Sequence, residues 1–147
     1  MIVSGQQAPT TLRKSILVDT NVLLDVFTDD PMWFDWSSAA LAMAANTAQL
    51  VISPIIYAEV SVRFASVEEL EQGLPAESFQ REHLPWEAAF LVGKAFLEYR
   101  NRGGLRRSPM PDFYIGAHAL VRGHTLLTRD ASRYRTYFPQ LKVVSPE

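Results

Sequence analysis

The chain has 147 residues, 48% hydrophobic and 20% charged, with a formal net charge of -2. That is the length and mix of one globular domain with a core of its own, and the net charge does not by itself mark a nucleic-acid binder. The absence of cysteine excludes disulfides, thiolate nucleophiles and thiolate zinc sites, and fits a reducing compartment. Residues 1–14 are polar, carry Gly5 and Pro9, and lack the apolar core of a secretory signal. They read as a flexible N-terminal extension to a domain spanning 15–147. Ser15–Val18 is a short apolar run suited to a strand buried on both faces. A helix is expected from about Asn21, with Thr20 and Asn21 as natural caps. A second helix is expected over about Met32–Asn46, then a strand at Leu50–Ile52. Ser53-Pro54 opens a third helix.

Val67–Pro85 is acidic and punctuated by Gly73, Pro75 and Pro85, and reads as short helices or loops. Trp86–Arg100 has the periodicity of an amphipathic helix, stopped by Gly103-Gly104. An arginine- and proline-rich loop follows, then a helix over about Pro111–Val121. Thr125–Thr128 is expected as a third strand, Ala131–Phe138 as a short helix or turn, and Leu141–Val144 as a last strand. No apolar run reaches the ~18 residues needed to cross a bilayer. The expectation is a soluble cytoplasmic protein. The alternation of strand and helix predicts a three-layer α/β/α sandwich around a mostly parallel sheet.

Four carboxylates hold related positions in that plan. Asp19 and Asp130 each follow a predicted strand, in I-L-V-D and T-L-L-T-R-D. Parallel strands would deliver both to one sheet edge, where open α/β sheets bind ligands. Glu59 lies about one turn into the helix after Ser53-Pro54, and Asp112 in the first turn after Met110-Pro111. Each has a plainer reading as a turn, cap or dipole-complementing residue. Gathered together they would repel unless a cation lay among them, and oxygen-only ligands favour Mg²⁺ or Mn²⁺. Residues 100–135 are rich in arginine, whose guanidinium binds phosphate bidentately. Metal-assisted phosphodiester hydrolysis fits this set.

D-T-N-V-L-L-D, the glutamate of S-P-I-I-Y-A-E-V, M-P-D-F-Y-I-G-A-H-A and L-L-T-R-D resemble the acidic motifs of the PIN domain. The ending G-H-T-L-L-T-R-D is similar to its VapC toxin branch. The resemblance spans roughly Ile16–Val144 and implies a parallel sheet sandwiched by helices. It also implies a Mg²⁺- or Mn²⁺-dependent endoribonuclease, a homodimer and a small VapB-like antitoxin. Carried over, Asp19, Glu59, Asp112 and Asp130 would bind metal, and Asn21 and Thr128 would support them. In the mechanism expected from this, Asp19, Asp112 and Asp130 hold the ion, and Glu59 orients it or the attacking water. Arg106 and Arg107 grip the RNA backbone, with loops of tRNA or rRNA as the expected target. Asp25 falls outside the site.

His83, His118 and His124 show no ligand spacing, and Asp112 and His118 do not share a helical face. Trp33, Phe34 and Trp36 read as core, or as a groove for the antitoxin. The rival readings are a phosphoacceptor regulatory domain, a D-x-D phosphatase and a non-enzymatic binding module. The first lacks a suitably placed lysine, and the second has Asn21 where its second aspartate should stand. In the third, the carboxylates would be caps only.

Overall fold

The computed structural model describes residues 14–146, so the expected N-terminal extension lies almost wholly outside the described residues. Five strands form one sheet: β1 (Ser15–Val18), β2 (Gln49–Ile52), β3 (Phe79–Arg81), β4 (Thr125–Leu127) and β5 (Val143–Val144). Their order is β3-β2-β1-β4-β5, and every neighbouring pair is parallel. The helices are α1 (Thr20–Phe27), α2 (Phe34–Thr47), α3 (Pro54–Ser61), α4 (Val67–Gly73), α5 (Trp86–Asn101), α6 (Pro111–Arg122) and α7 (Ser132–Tyr137). They flank the sheet as expected for the α/β/α sandwich.

The strands that form the centre of the sheet are the continuous apolar runs. Leu17, Val18, Val51, Ile52, Leu126 and Leu127 are all buried, as strands covered on both faces must be. Order within the sheet then fixes where a ligand can lie. From β1 the chain moves to β2 and β3 on one side and later to β4 and β5 on the other. The reversal falls between β1 and β4, and the crevice outside their C-terminal ends is the usual ligand position in such sheets. Asp19 and Asp130 sit beyond those two ends. The backbone N–H of Asp19 extends the ladder by donating to Leu127 O at 2.8 Å.

Several local expectations are corrected. Helix α1 begins at Thr20, one residue before Asn21, and its cap is Asp19 rather than Thr20 or Asn21: Asp19 Oδ1 accepts the Thr20 N–H at 2.7 Å. Helix α2 starts at Phe34 rather than Met32. Asp30 Oδ1 accepts the N–H groups of Met32 and Trp33 in a turn that the helix follows. The stretch expected to be loops or short helices holds α4 and an additional strand, β3. Helix α4 was legible as a capping sequence: Ser66 Oγ accepts the Glu69 N–H, and Glu69 Oε1 accepts the Ala65 N–H. Strand β3 has three residues, of which only Phe79 is buried, so it carries no alternating pattern to read.

One glycine matters for the site. A Cβ on Gly116 of α6 would lie 2.7 Å from the Phe138 ring and 3.1 Å from that of Tyr134. Both rings are buried. The absent side chain lets α7 and the residue after it pack closely on α6.

Candidate active site

Asp19 is 5% exposed, and protein donors surround its carboxylate. Besides the Thr20 N–H on Oδ1, Oδ2 accepts from Thr128 Oγ1 at 2.8 Å and from Tyr134 Oη at 2.9 Å. Burial still dominates and pushes this carboxyl up to about 6, with the charge of Asp112 adding to the rise and those hydrogen bonds opposing it. The Asp112 side chain is 41% exposed. Burial raises its carboxyl too, and Asp130 adds to that while Arg133 and Arg106 oppose it.

Asp19, Asn21, Glu59, Asp112, Asp130 and Arg133 all line one polar cavity of about 340 Å³ at the sheet's switch point. Each side chain comes from a different local device. Asp19 is the cap of α1. Glu59 is carried by α3, which Ser53 caps through Ile56 N and Pro54 opens. Asp112 is in the first turn of α6, again behind a proline. Asp130 follows β4, and its Oδ1 accepts from the Ser132 N–H and hydroxyl. Thr20 lies on the same cavity and is more than a helix-opening residue: its hydroxyl donates to Glu59 Oε1 at 2.6 Å.

Asn21 and Thr128, expected as supports, are joined. Asn21 Nδ2 donates to Thr128 Oγ1 at 3.2 Å, and Asn21 Oδ1 accepts the Arg129 N–H at 3.1 Å. Asp25 does not line the cavity. It is buried behind it, takes a hydrogen bond from Ser37 Oγ at 2.7 Å, and is gripped by Arg129 at 2.8 and 3.1 Å. Arg129 also stacks over Trp33, whose ring meets Trp36 edge-on. These contacts fix the T-R-D turn that carries Thr128 and Asp130.

Sequence reasoning missed three residues here. Tyr134 and Arg133 belong to no motif, and Arg129 stands inside T-L-L-T-R-D with nothing in that motif to mark its pairing with Asp25. Arg133 Nη1 lies 3.7 Å from Asp112 Oδ2 and 3.0 Å from Met110 Sδ, at the cavity rim. Arg106 and Arg107 are exposed in the loop before α6. His118 and His124, expected not to form a ligand set, meet at Glu82, outside the lining of the acidic cavity. Their spacing of six gives no periodic signal, and the carboxylate that joins them is supplied by the unread strand region.

The PIN domain family profile matches residues 16–139. The chain belongs to the PIN domain family. This is a nuclease family, and the fold agrees with it across almost the whole PIN unit. A toxin–antitoxin complex from Klebsiella pneumoniae contains a chain 26% identical to this one, with a TM-score of 0.66 over 90% of this chain and 98% of that one. VapBC2 from Rickettsia felis, bound to a DNA fragment from its promoter, is similar at 19% identity and TM-score 0.69, covering 90% and 99%. VapBC-1 from nontypeable Haemophilus influenzae is similar at 20% identity and TM-score 0.68, covering 89% and 97%. No curated protein matches the sequence. Among the described residues, no helix of this PIN domain is long and apolar enough to cross a membrane.

Proposed function

We propose that the chain is a Mg²⁺- or Mn²⁺-dependent endoribonuclease toxin of the VapC type, hydrolysing phosphodiester bonds in loops of cellular tRNA or rRNA. The observation that carries this reading is the arrival of Asp19, Glu59, Asp112 and Asp130 in one polar cavity. The donor set suits a hard cation: all four ligands are carboxylates. Asp19 held at about 6 by burial and by Asp112 is what crowded acids do without a counter-charge. Asp19, Asp112 and Asp130 would hold the ion, with Glu59 beside them. When bound, such an ion supplies an activated water and offsets charge on phosphate oxygens.

The chain's own residues prepare the site. Thr128 and Tyr134 hold Asp19 Oδ2, so that its other oxygen is set by the start of α1. Thr20 orients Glu59 by donating to its Oε1. Arg133 at the rim, with Arg106 and Arg107 in the neighbouring loop, would take the phosphates on either side of the cut bond. Loops and single strands are the reachable substrates, because the deep groove of duplex RNA closes its bases to side chains.

The same reading includes a small VapB-like antitoxin and a homodimer, both acting in the cytoplasm. The VapBC neighbours support the antitoxin. Trp36, Ala39, Ala40 and Met43 of α2 line an apolar cavity of about 360 Å³, suited to an antitoxin segment. For the rival phosphoacceptor reading, no lysine lines the acidic cavity among the described residues.

The test is purified protein with mixed cellular RNA, in Mn²⁺ or EDTA, with cleavage ends mapped. Cleavage at few sites in Mn²⁺, none in EDTA, and a fall of at least about 10²-fold in Asp19→Asn and Asp112→Asn is expected. Equal cleavage by Asp112→Asn would falsify the assignment.

A further inference from the structure

Away from the acidic cavity, one other group of ligand-type side chains comes together among the described residues. Glu82 lies just past β3, His118 inside α6, and His124 just before β4. Both imidazoles aim Nε2 at the same atom, Glu82 Oε1: His118 from 2.9 Å and His124 from 2.8 Å. The two rings are 5.7 Å apart at 65°. All three potential ligand atoms lie within 4.8 Å of one another. His118 is fully buried and His124 is 7% exposed. Glu82 is half-buried and borders a cavity of about 250 Å³.

A carboxylate oxygen can brace two donors. Here two buried rings, six residues apart across the turn from α6 to β4, converge on one oxygen of Glu82, 36 and 42 positions away. A metal binds the neutral imidazole and the ionised carboxylate. Burial lowers the His118 imidazole, against the pull of Glu82. Burial pushes the Glu82 carboxyl up, but the two imidazole contacts outweigh it and lower it overall. The outer partner that fixes a ligating ring is also present for His124, whose Nδ1 lies 2.5 Å from Ser15 Oγ. His118 Nδ1 is buried with no hydrogen-bond partner. It is the weak point of the site and limits its affinity.

We infer that Glu82, His118 and His124 form a second cation site, selective for a borderline ion such as Zn²⁺ and separate from the all-carboxylate cavity. Two imidazoles and a carboxylate are a zinc donor set, and hard ions such as Mg²⁺ avoid it. With bonds of ~2.1 Å, tetrahedral ligands stand ~3.4 Å apart, so each imidazole–carboxylate contact must open by about half an ångström and the two Nε2 atoms, now within 4.8 Å, must settle at the same spacing. A ring that carries its proton on Nε2 must shift it to its own Nδ1 on binding, where, for His124, Ser15 Oγ stands ready to accept it. Three protein ligands leave a fourth position for water. An ion there ties the exit of β3 to α6 and to the start of β4. This inference does not rest on the ribonuclease reading.

The test is titration of the full chain with Co²⁺, read by visible absorption, in wild type, Asp112→Asn, Glu82→Gln and His124→Gln. One equivalent of Co²⁺ should give the intense band of a four- or five-coordinate ion in wild type and in Asp112→Asn. Zn²⁺ should displace it and excess Mg²⁺ should not. Glu82→Gln and His124→Gln should bind on the order of tenfold or more weakly. No band in wild type overturns the inference, as does wild-type affinity in Glu82→Gln or loss of the band in Asp112→Asn. If either cluster variant fails to fold, the histidine ring ¹⁵N signals of wild type decide. Zn²⁺ must shift Nε2 of His118 and His124, and unmoved signals refute the site.

Discussion

At the scale of single residues, Asp19 carries the sharpest physical conflict in the molecule. Its carboxyl stands at about 6 against an ordinary value of 3.8, chiefly through burial. The folded state therefore binds a proton more tightly than the unfolded chain. The resulting contribution to stability is fully present below the unfolded value and is lost as pH rises through about 6. The loss is about 3 kcal/mol. Asp19→Asn lacks that titration. In EDTA its stability relative to wild type should rise by roughly this amount between pH 4 and pH 7. Urea unfolding at the two pH values measures it, and an unchanged difference would mean that Asp19 is not desolvated as described. That Asp19 mattered was legible in the sequence, since it ends an apolar run. Its partner Tyr134 was not, because a tyrosine in a short terminal helix carries no sign of the 2.9 Å contact made across 115 positions.

At the scale of elements, the turn between β4 and α7 is held from behind by the Asp25–Arg129 pair. Asp25 is buried and accepts from both Ser37 and Arg129. Removing the guanidinium leaves a buried charge with one hydroxyl donor. Arg129→Met should lower stability by about 3 kcal/mol or more at pH 7, and Asp25→Asn in the same chain should recover part of it. Chemical denaturation of the two variants and their combination checks this, and simple additivity would show the pair is not coupled. Gly116→Ala is expected to cost about 1–3 kcal/mol, because buried aromatic rings must shift for the new methyl. Since Tyr134 is one of those rings, the variant should also lose nuclease activity beyond what its stability explains, measured well below its melting temperature. A stable, fully active Gly116→Ala would refute the role given to close packing of α7. Why some elements were readable follows from the same physics. Strands β1, β2 and β4 are covered on both faces and show as apolar runs. Strand β3 buries only Phe79 and pairs through its backbone, which side-chain pattern cannot reveal. Two of the three histidines escaped for a related reason, as the acid that joins them sits just beyond that strand.

At the scale of the whole molecule, α5 presents a surface that the fold itself leaves unused. Trp86, Phe90 and Leu97 are 87%, 67% and 54% exposed. Their spacings of four and seven place them along one side of the helix, with Gly93 between them, where an added Cβ would meet nothing. The opposite side, Ala88, Val92 and Ala95, is the buried one. A row of large apolar side chains with a small residue in the middle suits helix-on-helix contact with a second copy, in which each row meets its own image. This surface is away from the acidic cavity, whose lining includes no residue of α5. Under the homodimer reading, Phe90→Glu places a charge at the centre of that row and should shift the protein from dimer to monomer by sedimentation equilibrium at micromolar concentration. The monomer's circular dichroism should stay unchanged, because Phe90 is not part of the core. A control, Val67→Glu, changes an apolar residue that is also two-thirds exposed but lies on α4. It should leave the mass alone. If Phe90→Glu remained a dimer, the contact between copies would have to lie elsewhere, and the stripe on α5 would be free for another partner.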